Sequence, residues 1–229
     1  MIQPKYFTPL VVALAAVFGL LVYLAGGTDA FAEGGTIENL TVVGYGIAAL
    51  IIMALPGVGL LRRVELAFLV ALLGARELDL HKAFTQDSLL KMDYYLKSDA
   101  PLTEKGFSIL FLAAVAAIAF HLVLQVSPGF VAALKARRDY ALSILCGLFL
   151  IGFSKSIDGI PRKMRDLFGV RVDDSVRLSF RSIEELTEMM IPLVFIAACI
   201  QFAMLERSRR NSAQAGSGAI PLDPADERN

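Results

Sequence analysis

Apolar residues in this chain fall into long, nearly unbroken runs rather than the spaced stripes of a soluble helix. A helix needs about 20 predominantly apolar residues to cross the hydrocarbon core of a bilayer. Runs of this kind lie at 9–25, 40–61, 62–82, 107–126, 140–158 and 185–205. They predict an all-α polytopic membrane helix bundle of about six transmembrane helices, spanning 1–206. Beyond Arg207 the chain turns to Ser, Ala, Gly, Pro and charge, and 207–229 reads as a disordered cytoplasmic tail without an apolar face to bury.

Three of the runs are interrupted by charge before they reach full length. The third is free of charge only over 66–75, the fifth over 140–153 and the sixth over 189–205. Each can span only if its polar end lies within the depth of the bilayer. The three polar ends are Arg76-Glu77-Leu78-Asp79-Leu80-His81-Lys82, Ser154-Lys155-Ser156-Ile157-Asp158 and Glu184-Glu185-Leu186-Thr187-Glu188. In an up-and-down bundle all three fall on one side of the membrane, together with Glu38 and Asn39 at the start of the second helix. A charged side chain at membrane depth costs several kcal/mol unless paired or hydrated, so these groups should turn toward one another. Helical spacing supports this: Arg76 and Asp79, Lys155 and Asp158, and Glu185 and Glu188 are three apart, while Glu77 and His81, and Glu184 and Glu188, are four apart. Pro192, one turn beyond Glu188, removes a backbone hydrogen bond beside the cluster. Glu77, Asp79, Asp158, Glu184, Glu185 and Glu188 outnumber Arg76, Lys82 and Lys155, with His81 undecided. The surplus acid must be protonated, wet or neutralised by a cation.

Loop charge orients the bundle. Lys5, Arg62, Arg63, Lys135, Arg137, Arg138 and the basic start of the tail share one side, whereas the 26–39 loop opposite holds Asp29, Glu33 and Glu38 and no Lys or Arg. The positive-inside rule then puts both termini in the cytoplasm of a bacterial inner membrane and the charge cluster at the outer face. Lys5, the first apolar run and Ala30-Phe31-Ala32 have the outline of a secretory signal, but the run is longer than a usual h-region and reads as a retained helix. Short interfacial helices are expected in the outer loops. One carries Leu89, Met92 and Leu96. The other starts at Pro161, with Met164, Leu167 and Phe168 on its apolar edge and Arg162, Lys163 and Arg165 toward lipid phosphates.

Composition agrees with a membrane protein: 56% of residues are hydrophobic, 19% are charged and none is Trp, with a mean hydropathy of +0.61. The 22 basic and 22 acidic side chains cancel, which argues against a nucleic-acid partner. Cys146 and Cys199 sit in apolar runs without redox or metal spacing. Two histidines cannot build a three-histidine zinc site, and His121, deep in the fourth helix, reads as a packed, hydrogen-bonded residue. No phosphate-binding GxxxxGK[ST], HExxH or GxSxG motif occurs. Gly44-Tyr45-Gly46 reads as a close helix contact, and Pro56-Gly57 as a helix stop.

The string Arg76-Glu77-Leu78-Asp79-Leu80-His81-Lys82-Ala83-Phe84-Thr85, with Leu90-Lys91, Tyr94-Tyr95, Glu38-Asn39 and Glu184-Glu185-Leu186-Thr187-Glu188, resembles a group of bacterial multi-pass membrane proteins. The resemblance covers the second to sixth helices and implies a fold, not an activity. The residues themselves suggest cation-assisted chemistry on a lipid or lipid-linked substrate. Glu77, Asp79 and Asp158 would hold the cation, Glu185 or Glu188 would act as general base, and Arg76 and Lys155 would hold phosphate; His81 completes the candidate set. Carboxylate oxygens suit Mg²⁺, Mn²⁺ or Ca²⁺, but the sequence singles out no metal and no cofactor. Two other readings stand beside this one. In the first, the network is structural, in a non-catalytic subunit or assembly factor with a protein partner. In the second, the chain is a proton- or ion-coupled carrier, although no internal repeat is visible.

Overall fold

A computed structural model of the chain describes residues 3–25, 27–32, 34–80, 92–170 and 172–217. His81, Lys82 and Leu89 lie outside the described residues. All regular structure within them is helical, with eight α-helices: α1 (Phe7–Leu24), α2 (Thr36–Met53), α3 (Leu60–Glu77), α4 (Met92–Lys97), α5 (Leu102–Lys135), α6 (Asp139–Asp158), α7 (Ile160–Phe168) and α8 (Asp174–Ser217). Five of these, α1, α2, α5, α6 and α8, are long and apolar enough to cross a membrane. α3 matches α2 in length but carries Arg62, Arg63 and Glu65 near its start and Arg76 and Glu77 at its end.

α8 is the hub. It packs along α6, α2 and α1, while α3 folds back on α2 and α5 stands apart with sparse contact to α3 and α6. Lipid offers no hydrophobic drive for helix association, so contact relies on close packing around small residues. Gly147 of α6 faces Phe195 of α8, where an added Cβ would come within 2.5 Å of the ring. Gly44 of α2 faces Pro192 of α8, and Gly74 of α3 faces Tyr45 of α2, with a corresponding 3.0 Å in both cases. Gly46 has open space instead, so only the first glycine of Gly44-Tyr45-Gly46 makes the expected close contact. Two apolar cores result. One gathers Tyr45, Ala48, Ile52, Val70, Ile191 and Cys199, and the other gathers Ala15, Phe31, Ile37, Met189 and Met190.

At the end of the bundle nearest the N-terminus, side-chain hydrogen bonds tie α1, α6 and α8 together. Thr8 and Ser143 share a hydrogen bond, Ser143 donates to Gln201 Oε1 at 2.6 Å, and the Gln201 amide donates to the Pro4 carbonyl at 2.9 Å. Cys146 and Cys199 are free thiols.

Several boundaries differ from the sequence expectation. α2 stops at Met53, not 61, because Pro56 and Gly57, the latter at φ +77°, form the turn. α5 is longer than the apolar run at both ends and passes straight through Pro128. α4 is docked rather than merely lying at the interface: Tyr94 is buried and its hydroxyl donates to Glu104 of α5 at 2.8 Å, while Met92 and Leu96 stay exposed. α7 appears as expected, with Leu167 and Phe168 exposed and Gly169 at φ +66° closing it. α8 begins well before Glu185 and continues to Ser217, so 207–217 is helical rather than disordered. An Arg209–Glu206 pair at 3.1 Å, three residues apart, supports that extension.

Gly147→Val should lower stability by about 1–3 kcal/mol, the usual range for overpacking a tight contact. Gly46→Ala, which meets nothing within 4 Å, should leave thermal unfolding in detergent unchanged or slightly improved.

Candidate functional site

Glu188 lies on α8, the most buried helix, with only 8% of its side chain exposed. An ionised carboxylate in that position needs charged or hydrogen-bonded partners to offset its lost hydration. One of its oxygens, Oε1, collects three. Arg76 Nη2 of α3 donates at 3.0 Å, Ser154 Oγ of α6 at 2.8 Å, and Lys155 Nζ of α6 lies at 3.4 Å. The same Arg76 nitrogen donates to Glu77 Oε1 at 2.8 Å, and Lys155 also reaches Asp158 at 3.5 Å. The polar ends of α3, α6 and α8, each following an apolar stretch of limited length, are thereby knotted together.

Tyr45 also belongs to this knot, which sequence reasoning missed. It is buried on α2 and lies within electrostatic reach of Glu77, Glu188 and Arg76. A signal was present: Thr41, Tyr45, Ala48 and Ile52 repeat at helical spacing and form the buried face of α2. Ser154, buried and bonded to Glu188, had been noted only as part of the polar end.

Beyond the knot a polar cavity of about 1120 Å³ opens at this charged end of the bundle. Arg76, Glu77, Asp79, Lys155, Asp158, Glu185 and Glu188 all line it, so seven of the eight candidate residues share one space; His81 is outside the described residues. α7 and the start of α8 add Arg162, Arg165, Arg177 and Arg181, which sequence reasoning had not joined to the site as a set. Eight carboxylates and six cationic side chains face the cavity among the described residues. Glu188 Oε1 is taken by three donors, but Glu184 and Glu185 make no hydrogen bond or ion pair among the described residues. Arg181 lies within electrostatic reach of both. Glu38 is committed elsewhere: its Oε2 accepts the Gly34 amide at 2.7 Å, beside Asn39 bonds to the Gly34 and Gly35 carbonyls, and together these close the start of α2.

The expected cation cage of Glu77, Asp79 and Asp158 does not form. Among the described residues no group of three or more His, Cys, Asp or Glu side chains is placed to hold a metal ion. The physical reason lies in the pairing: Glu77 is turned to the Arg76 guanidinium and Asp158 to the Lys155 ammonium.

A second, apolar space adjoins the first. Because α5 stands off from α3, α6 and α8, a crevice of about 1160 Å³ lies between them, walled by residues such as Leu69, Leu73, Phe111, Leu112, Val115 and Phe195. Its ends are polar. Arg76 and Glu104 line one, and at the other Arg62 donates to Gln125 at 3.4 Å. Arg76 borders both the crevice and the polar cavity.

The other half of the bundle holds a separate ionisable pair, His121 Nδ1 and Glu65 Oε1 at 2.8 Å, joining α5 to α3. His121 is thus a hydrogen-bonded helix residue, and its partner is one that sequence spacing could not name. The second oxygen of Glu65 is buried without a hydrogen bond.

Compared with family models, curated proteins and solved structures, the chain gives no match. Its site must therefore be understood from its own geometry.

Glu188→Gln leaves Arg76 and Lys155 without their shared counter-charge and should destabilise the bundle by about 3 kcal/mol. Asp158→Asn, at a side chain 51% exposed, should change stability by less than about 0.5 kcal/mol. Paired thermal unfolding curves in the same detergent measure the difference.

Proposed function

We propose that this chain is a six-span inner-membrane protein, with both termini cytoplasmic, that binds a membrane lipid or lipid-linked molecule at its outer face. The head group enters the polar cavity and the hydrocarbon tail lies in the crevice beside α5. The observation that carries this reading is the position of Arg76, a residue that lines both an apolar crevice and a charged cavity. A wholly polar ligand has no use for the crevice, and a wholly apolar one has no use for the cavity. An amphiphile uses both, with its phosphate at the arginine.

Ligand sites are mostly apolar clefts with a few polar groups that fix orientation, and they form readily between the helices of bundles. The exposed apolar edge of α7, Leu167 and Phe168, beside Arg162 and Arg165, suits a position in the headgroup layer, where a lipid would arrive. Any chemistry on the bound lipid would fall to Glu184 or Glu185 as base, since Glu188 is held by three donors.

A second reading has its own support. The convergence of Arg76, Ser154 and Lys155 on one oxygen of Glu188 is what a purely structural lock requires, and a non-catalytic subunit would need no more. The two readings separate at the crevice wall, far from the lock. Val115→Trp should fill the crevice and abolish retained lipid, with the melting curve unchanged. Native mass spectrometry of detergent-purified protein measures this. Wild-type protein should carry one phospholipid per chain. Absence of lipid from the wild type, or equal retention by Val115→Trp, favours the lock and removes the lipid site.

A further inference from the structure

We infer that the head group received by the polar cavity bears a primary ammonium beside its phosphate, as in a phosphoethanolamine lipid; this inference rests on the lipid reading above. Two independent observations lead to it. The first is charge balance: among the described residues that line the cavity, eight carboxylates stand against six cationic groups. An anionic head group without an amine would add to that excess, whereas a zwitterion brings its own cation.

The second observation is the placement of partners around the residue that the two spaces share. Arg76 lines both, and Lys155 shares its counter-ion Glu188. Glu184 and Glu185 follow, three to four residues closer to the start of α8 than Glu188, which is about 5–6 Å along a helix. They are half-buried carboxylates without hydrogen bonds among the described residues. A glycerophospholipid presents its groups in the same sequence, with tails, glycerol, phosphate and then amine. With the phosphate at Arg76 and Lys155, the amine reaches the two glutamates.

The hydrogen-bond inventory selects the kind of amine. An ionised carboxylate is purely an acceptor, and a primary ammonium supplies three donors. A quaternary ammonium supplies none, and the described lining offers no aromatic cage that would receive one by cation–π contact; Phe180 is the one aromatic residue there. Discrimination against a choline head group therefore follows from the same two glutamates.

The test uses delipidated full-length protein in detergent, titrated calorimetrically with dihexanoyl phosphatidylethanolamine, phosphatidylcholine and phosphatidylglycerol, and with tail-free glycerophosphoethanolamine. The ethanolamine lipid should bind at least tenfold more tightly than the other two lipids. The tail-free head group should compete for the same site with lower affinity. The double variant Glu184→Gln/Glu185→Gln, whose side chains hold no helix in place, should erase the preference while leaving phosphatidylglycerol binding unchanged or tighter. Equal or tighter wild-type binding of phosphatidylglycerol or phosphatidylcholine overturns the inference while leaving a lipid site standing, and needs no variant to fold. Failure of all three lipids to bind overturns the lipid reading itself.

Discussion

A carboxylate sunk into the centre of a helical bundle, Glu188, sets the terms for the rest of this structure. Its desolvation is offset only if cations come to it, and they come from two other helices. Arg76 and Lys155 sit where the apolar stretches of α3 and α6 end, level with Glu188. Glycines let α2, α3, α6 and α8 approach closely enough for those side chains to meet. Charge placement and helix packing are therefore one constraint: the close contact brings the helix ends together, and the ion pairs offset the burial of their charges.

The standing-off of α5 is the counterpart of that tight centre. Three helices are drawn together around α8 with α3 folded against α2, and the long α5 is tethered mainly through Glu65–His121, Arg62–Gln125 and α4. The apolar space left between is too large to be a packing fault of the kind found inside proteins. It shares one lining residue, Arg76, with a cavity of opposite character. The proposed lipid ligand is the simplest molecule with the same division.

Much of this was legible in the sequence for definite reasons. Run lengths identified the helices, and interrupted runs identified the three ends that meet, because both follow from bilayer thickness. Seven of eight candidate residues share one cavity on the strength of that argument. Other features depended on three dimensions. Sequence counts charges but does not show which oxygen is saturated, so Glu188 could not be told from Glu185. The cation cage failed because Arg76 and Lys155 claimed two of its three members, Glu77 and Asp158. Tyr45 was hidden by lying in a glycine-flanked apolar run, and the continuation of α8 past Leu205 was hidden because a polar helix supported by neighbouring turns looks like a tail.

Pro192 adds a mechanical asymmetry to α8. It is packed against Gly44, and it brings no amide hydrogen to the carbonyl four residues earlier, which belongs to Glu188. The missing rung falls between the portion of α8 clamped by Gln201 and the portion bearing Glu184, Glu185 and Glu188. A helix that lacks a rung bends more readily there, so the aim of both glutamates depends on the bonds of Glu188 to α3 and α6 as well as on the helix itself.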